Sequence, residues 1–259
     1  MSFKLTRRQF LISALATLAL PVAIESVVLE PHRLEVRRIK GVKNAVGCRL
    51  VHFSDLHHKG DLVYLNEVVS TINQCQPHAV CFTGDLVEDR KYLPDVLVAL
   101  TCIRAPVFGV PGNHDYWSRI SFVEVQECLA VNGGAWLLNR SQSIANGKIN
   151  LIGLAGWLPQ DSLPAAIPGA MNIALMHYPV WAKQLNGRQF DLLLAGHSHG
   201  GQVRLPLFGA MFLPSNVDGY DRGLFKTPAG LLYVNAGIGY IGNYHVRLNC
   251  RPEITVIET

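Results

Sequence analysis

The chain has 259 residues, of which 49% are apolar and 16% charged. That length buries a sizeable core without disulfide staples, and that composition excludes a disordered chain, a coiled coil and a low-complexity linker. Basic residues outnumber acidic ones by 23 to 19, but Lys4, Arg7 and Arg8 fall in a first stretch, residues 1–23, that holds no acid; the rest is nearly neutral, and no stable nucleic-acid complex is expected.

The N-terminus reads Thr6-Arg7-Arg8-Gln9-Phe10-Leu11, and an apolar run extends from Phe10 to Ile24 before stopping at Glu25. As a helix this run rises roughly 22 Å. That is short of a comfortable bilayer span. A basic start followed by a short apolar stretch is an export signal, and the paired arginines resemble a twin-arginine signal. Residues 1–25 are therefore read as a twin-arginine-type signal or a retained membrane anchor. The implied partner is the twin-arginine export machinery. The implied location is the periplasm or the outer face of the inner membrane.

Residues 33–259 read as one domain. Its first stretch, residues 33–49, sets Arg33, Arg37, Arg38, Lys40, Lys43 and Arg49 against Glu35. Such a stretch fits a surface for anionic lipid headgroups. It fits equally an edge strand guarded by charge. Short apolar runs then predict strands at Arg49–Phe53, Ala79–Phe82, Val107–Val110, Ile149–Ala155, Ile173–Met176, Leu192–Ala195 and Leu231–Asn235. Helices are predicted over Leu62–Gln74, Pro94–Cys102, Ser121–Val131 and Pro179–Leu185. The alternation implies a layered α/β fold. The six cysteines (Cys48, Cys75, Cys81, Cys102, Cys128 and Cys250) form no Cys-x-x-Cys pair and read as buried free thiols.

Five of the predicted strands run into polar, ligand-type residues. These are Asp55-Leu56-His57, Gly84-Asp85, Gly112-Asn113-His114-Asp115, His177 and Gly196-His197-Ser198-His199. Ligand sites of α/β sheets lie beyond the carboxyl ends of strands. Asp55 and His57 are two apart, as are His197 and His199, so in extended chain each pair shares one side. Carboxylate mixed with imidazole suits Mn²⁺, Fe or Zn²⁺ better than Ca²⁺. Each piece alone is commonplace: Gly-Asp is usually a turn and a lone histidine usually a satisfied one. Five in fixed order, each after an apolar strand, are not.

The ordered set resembles the calcineurin-like metallophosphoesterase superfamily. Gly200-Gly201-Gln202, Pro206, Gly237-Ile238-Gly239 and Pro252-Glu253-Ile254 extend the likeness to a branch of small, twin-arginine-exported bacterial phosphodiesterases. The resemblance implies a layered β-sandwich of two mixed sheets flanked by helices. It implies two divalent metal ions, Mn²⁺ being the best match and Fe or Zn²⁺ acceptable. Asp55, His57, Asp85 and His199 would hold one; Asp85, Asn113, His177 and His197 would hold the other, with Asp85 bridging. The implied reaction is in-line attack on a phosphodiester by a hydroxide shared between the metals. His114 would assist the leaving group, and Asp115 would orient His114 from behind. Purple acid phosphatases have a tyrosine three residues after the bridging aspartate; here that position is Glu88, which argues against an iron–tyrosinate centre.

The substrate is open between a phospholipid, a nucleotide-lipid pyrophosphate and another phosphodiester. A phosphomonoesterase with the same metals, and a non-catalytic metal-binding scaffold, are the alternatives. The apolar stretch Leu205–Pro214 would line an acyl groove, dip into a membrane surface, or pack beneath the rim of the site.

Overall fold

The computed structural model describes residues 6–8, 17, 20–39, 46–156, 163–185, 187–242 and 245–259. Most of the signal reading, and Lys40 and Lys43 of the basic stretch, lie outside the described residues. Among those described, no helix is long and apolar enough to cross a membrane.

Two six-stranded mixed sheets face each other. The first contains β1 (Glu35–Ile39), β2 (Arg49–Phe53), β3 (Ala79–Phe82), β4 (Val107–Gly109) and β5 (Ala135–Trp136), and is completed by the last strand, β14 (Glu253–Glu258). Its order is β1-β14-β2-β3-β4-β5, with β14 antiparallel to β2 and the other pairs parallel. The second contains β6 (Ser141–Ile144), β7 (Ile149–Gly153), β8 (Met171–Leu175), β9 (Phe190–Ala195), β12 (Gly223–Thr227) and β13 (Gly230–Val234). Its order is β12-β13-β9-β8-β7-β6, parallel through its four central strands. A small hairpin, β10 (Arg204–Leu205) with β11 (Gly209–Ala210), stands apart. The predicted sandwich of two mixed sheets flanked by helices is the observed architecture.

Strand alternation builds the layers. Leu50, Cys81, Phe108, Leu151, Ile173 and Leu192 meet between the sheets. Val51, Phe53, Val80 and Phe82 point the other way, onto α1 (Leu62–Gln74), α2 (Leu93–Thr101) and a further helix, Phe122–Ala130. Ile152, Ala174, Leu193 and Val234 cover the outer face of the second sheet with Trp181 and Leu185. Both faces of each central strand are buried, which explains their unbroken apolar runs. Each fully buried Leu, Ile or Val contributes roughly 1.5–3 kcal/mol. Asp61 caps α1 by accepting from the Tyr64 N–H at 3.0 Å.

The strand predictions match within two residues at each end. The helix predictions match as closely, the last being the shortest: only Trp181–Gln184 is α-helical, after a turn at Pro179 and Val180. Residues 35–39 of the basic stretch form edge strand β1, and the described arginines of the stretch are engaged. Arg37 meets Glu35 and Glu253 (3.2 and 3.4 Å), Arg38 and Arg49 meet Glu258 (3.9 and 2.9 Å), and Arg33 meets Glu25 (2.8 Å). The charges of the described part are those of a guarded edge. The expectation that all the cysteines are buried is corrected at Cys102, which is exposed at the end of α2, and at Cys128, which is half-buried.

Candidate metal centre

The parallel strands of both sheets deliver their C-terminal ends to one place. Asp55 and His57 follow β2, Asp85 follows β3, Asn113 and His114 follow β4, His177 follows β8, and His197 and His199 follow β9. Asp55, His57, Asp85, Asn113, His177, His197 and His199 are all buried. His114 is half-buried.

The pairs do not meet by extended alternation. Asp55 (φ 52°), His57 (φ 42°), Asp85 (φ 65°), His197 (φ 66°) and His199 (φ 49°) are all left-handed. Non-glycine residues seldom adopt this conformation, and clustered strain of this kind marks functional sites. Each turn folds its side chain back over the strand end. At Gly112 the close approach explains the glycine: a Cβ there would lie 2.1 Å from Asp85 Oδ1.

The hydrogen bonds fix which ring nitrogens face inward. His177 Nδ1 donates to the Thr83 carbonyl (2.8 Å), and His197 Nε2 to the Ser215 carbonyl (2.8 Å). A carbonyl can only accept, so both rings turn lone pairs toward the site. Those two nitrogens lie 3.1 Å apart, and His177 Nε2 is 3.0 Å from Asn113 Oδ1 and 3.3 Å from Asp85 Oδ2. On the other side His57 Nδ1 donates to Glu88 Oε2 (2.9 Å), leaving Nε2 at 3.1 Å from His199 Nε2 and 3.3 Å from Asp85 Oδ2. His199 Nε2 is 3.5 Å from Asp55 Oδ1. With these rings neutral, the inward nitrogens of His57, His177 and His197 present lone pairs beside the buried carboxylates, an arrangement that is costly unless protons or cations sit among them. The donor set therefore fits two cations sharing Asp85.

Charge balance points the same way. Burial opposes a charge on His57, but Asp85 and Glu88 outweigh it and raise its pKa to about 10. Burial likewise opposes His177, and Asp85 and Asp55 raise it to about 9. Burial pushes the Asp85 carboxyl up, but His177 and His57 overcome this and hold it well below the usual carboxylate range. Burial, then the charge on His177, lowers His197 to about 3. Without cations, protons on His57 and His177 supply the positive charge that the carboxylates demand.

Asp115 departs from expectation. Its carboxylate accepts from the backbone N–H groups of Asp85, Leu86 and Gly112, each at 2.8 Å. It ties the turn after β3 to the start of the short helix Asn113–Trp117 (α3), and so positions Asp85 instead of orienting the His114 ring. The group behind His114 is Glu88, whose Oε2 lies 3.2 Å from His114 Nδ1. Sequence reasoning met Glu88 only as the absence of a tyrosine; its spacing of three from Asp85, on the same turn, was the available signal. It also missed Arg247, which is fully buried and donates to the carbonyls of Ala236, Gly237, Gly239 and Cys250. That loop packs on Asp55, with the Gly239 N–H donating to the Asp55 carbonyl at 2.7 Å. No local pattern announces such an arginine.

Two clefts flank the centre. One, of about 250 Å³, has Asn113 at its base and Tyr116, Trp117, Tyr178 and Trp181 as walls. The other, of about 440 Å³, runs from His199 and Gln202 to Met211, Phe212 and Pro214.

The family profile described as calcineurin-like phosphoesterase matches residues 48–201. The chain is 31% identical to phosphodiesterase YaeI of Escherichia coli (strain K12), over 98% of this chain and 99% of that one. It is 30% identical to the uncharacterized metallophosphoesterase YkuE of Bacillus subtilis (strain 168), over 98% and 97%. It is 28% identical to the UDP-2,3-diacylglucosamine pyrophosphatase LpxG of Chlamydia trachomatis, over 89% and 90%. The profile spans every strand end that carries the clustered ligands, and this chain belongs to the calcineurin-like phosphoesterase family of metal-dependent phosphoester hydrolases.

Proposed function

We propose that this chain is an exported phosphodiesterase acting on a lipid-linked phosphodiester or pyrophosphate, with Mn²⁺ as its preferred cation. The observation that carries the reading is the position of Asp85 Oδ2, 3.3 Å from both His57 Nε2 and His177 Nε2. Asp55, His57, Asp85 and His199 hold one cation; Asp85, Asn113, His177 and His197 hold the second. When bound, such a pair neutralises phosphate oxygens and lowers the pKa of water. The mixture of carboxylate, amide oxygen and imidazole favours Mn²⁺, with Fe or Zn²⁺ acceptable.

The chain's own groups do the rest. Glu88 accepts from His114 Nδ1, which leaves Nε2 to meet the leaving oxygen and hand it a proton or offset its charge. Asp115 and the Gly112 turn hold Asp85 in place. The two clefts give room for a substituent on each side of the phosphorus, as a diester requires and a monoester does not. Their apolar walls, and the likeness to a protein named for a lipid-linked substrate, support a lipid component.

Hydrolysis of bis-p-nitrophenyl phosphate should exceed that of p-nitrophenyl phosphate; preference for the monoester overturns the diesterase reading. Export rests on the Arg7-Arg8 signal pattern. Arg7→Lys with Arg8→Lys should leave an active enzyme in the cytoplasm, and arrival of that variant outside the membrane would refute the address.

A further inference from the structure

Two apolar segments are joined through residues 247–250, and the second of them lines the His199 cleft. The first is the helical segment of residues 20–32, which exposes Leu20, Val22, Ile24, Val27 and Val28. It continues the apolar run that begins at Phe10. The second is the β10–β11 hairpin, which exposes Leu207, Phe208, Met211 and Phe212. Asn249 bonds to both: its N–H donates to Glu30 Oε2 (2.8 Å) and its Nδ2 to the Arg204 carbonyl (2.9 Å). The Arg247 N–H donates to the Ser26 carbonyl, and the Arg204 N–H to the Leu248 carbonyl, both at 2.8 Å. The helix and the hairpin base are thus one connected surface.

The hairpin tip is built to project. Leu207 is 104% exposed and Phe208 83%. Leu207 also holds a left-handed φ of 70°, unfavourable for a leucine. Packing beneath the rim of the site, one of the readings of Leu205–Pro214, is not what these two residues do. Contiguous apolar exposure of this kind marks a contact surface.

Charge narrows the occupant. Residues 203–214 and 238–252 contain no acid. The nearby carboxylates are engaged: Glu25 by Arg33, Glu30 by the Asn249 and Cys250 N–H groups, and Asp221 by Arg204. Arg251 is exposed. An anionic lipid surface meets no free carboxylate on these segments. The apolar composition of the run that precedes this helix, Phe10 to Ile24, suits the same solvent.

We propose that this helix–hairpin face docks on the lipid bilayer, with Leu207 and Phe208 inserted at the headgroup boundary, so that the cleft between Met211, Phe212 and His199 receives a lipid-linked phosphate directly from the membrane. The proposal rests on the lipid reading above and names the surface that serves it.

The test is co-sedimentation of the full chain with vesicles of phosphatidylethanolamine and phosphatidylglycerol, alongside hydrolysis of soluble bis-p-nitrophenyl phosphate. Leu207→Ser with Phe208→Ser should weaken vesicle partition by at least about tenfold and leave soluble hydrolysis unchanged. Unchanged partition overturns the proposal; absent hydrolysis in the unaltered chain with partition intact defeats the enzymatic reading alone. Should the double variant fail to fold, Phe208→Trp decides: brominated lipid should quench its fluorescence beyond that of the unaltered chain, and no added quenching refutes insertion. A dimer in vesicle-free sedimentation that the double variant abolishes would give the face to a second copy and refute the lipid.

Discussion

Glu88 Oε2 lies 2.9 Å from Nδ1 of His57 and 3.2 Å from Nδ1 of His114. One carboxylate therefore sets the tautomer of both imidazoles, His57 and His114. Burial pushes this carboxyl up, but His114 and His57 overcome it and draw the pKa below the ordinary carboxylate value, so it stays ionised in its role.

Glu88→Gln removes the charge and keeps the shape. We expect a loss of about 10–100-fold in activity or cation affinity, the usual cost of losing a group that orients a ligand. Steady-state kinetics with parallel metal titration would read it. Activity within twofold of the unaltered enzyme would show that His57 and His114 need no such partner.

Asp115 and His114 are adjacent in sequence, yet their variants should fail differently. Asp115→Ala strands three buried N–H groups, at about 1–3 kcal/mol each. A loss of about 3 kcal/mol corresponds to roughly 6–12 °C in Tm for a chain of this size. His114→Ala should leave Tm nearly unchanged and lower kcat by about 10²–10⁴-fold. Thermal melts beside kinetics separate the two; equal melting of both variants would contradict the division of roles.

At Gly112 an alanine Cβ would sit 2.1 Å from Asp85 Oδ1 and 2.7 Å from the Asp85 backbone nitrogen. Gly112→Ala must displace the shared carboxylate. We expect loss of activity with depleted cation content while the protein still folds cooperatively. Full cation content in that variant would show that Asp85 is not held by this contact.

Cation loading should release protons. His57 is raised to about 10 and His177 to about 9 in the cation-free chain, so both are charged at pH 8, whereas a metal ligand must be neutral. Calorimetry in buffers of different ionisation enthalpy should find about two protons released per chain, and affinity should fall as pH drops. No proton release would mean that the rings are already neutral.

The strand cores were legible because central strands buried on both faces leave long apolar runs, and Arg49–Phe53 and Ala79–Phe82 were bounded without error. The ligand motifs were legible because each follows such a run. What sequence left hidden was contact across the chain. Glu88 acquires its role only when the turn after β3 is laid against His57 and His114. Asp115 looked like a partner for its neighbour but is drawn to backbone N–H groups of another turn. Arg247 serves a loop that lies between β13 and β14, and nothing near it in sequence predicts the carbonyls it meets. The left-handed turns at Asp55 and His199 were also invisible, since neither residue is a glycine.

Metal analysis of purified Asp85→Asn beside the unaltered chain tests the shared carboxylate most directly. The unaltered protein should carry about two divalent cations per chain and lose hydrolysis on chelation, as a paired-cation site requires. Asp85→Asn should be depleted at both positions and inactive. A variant that keeps its full cation content, or turns over bis-p-nitrophenyl phosphate at an undiminished rate, would contradict a centre built around that residue.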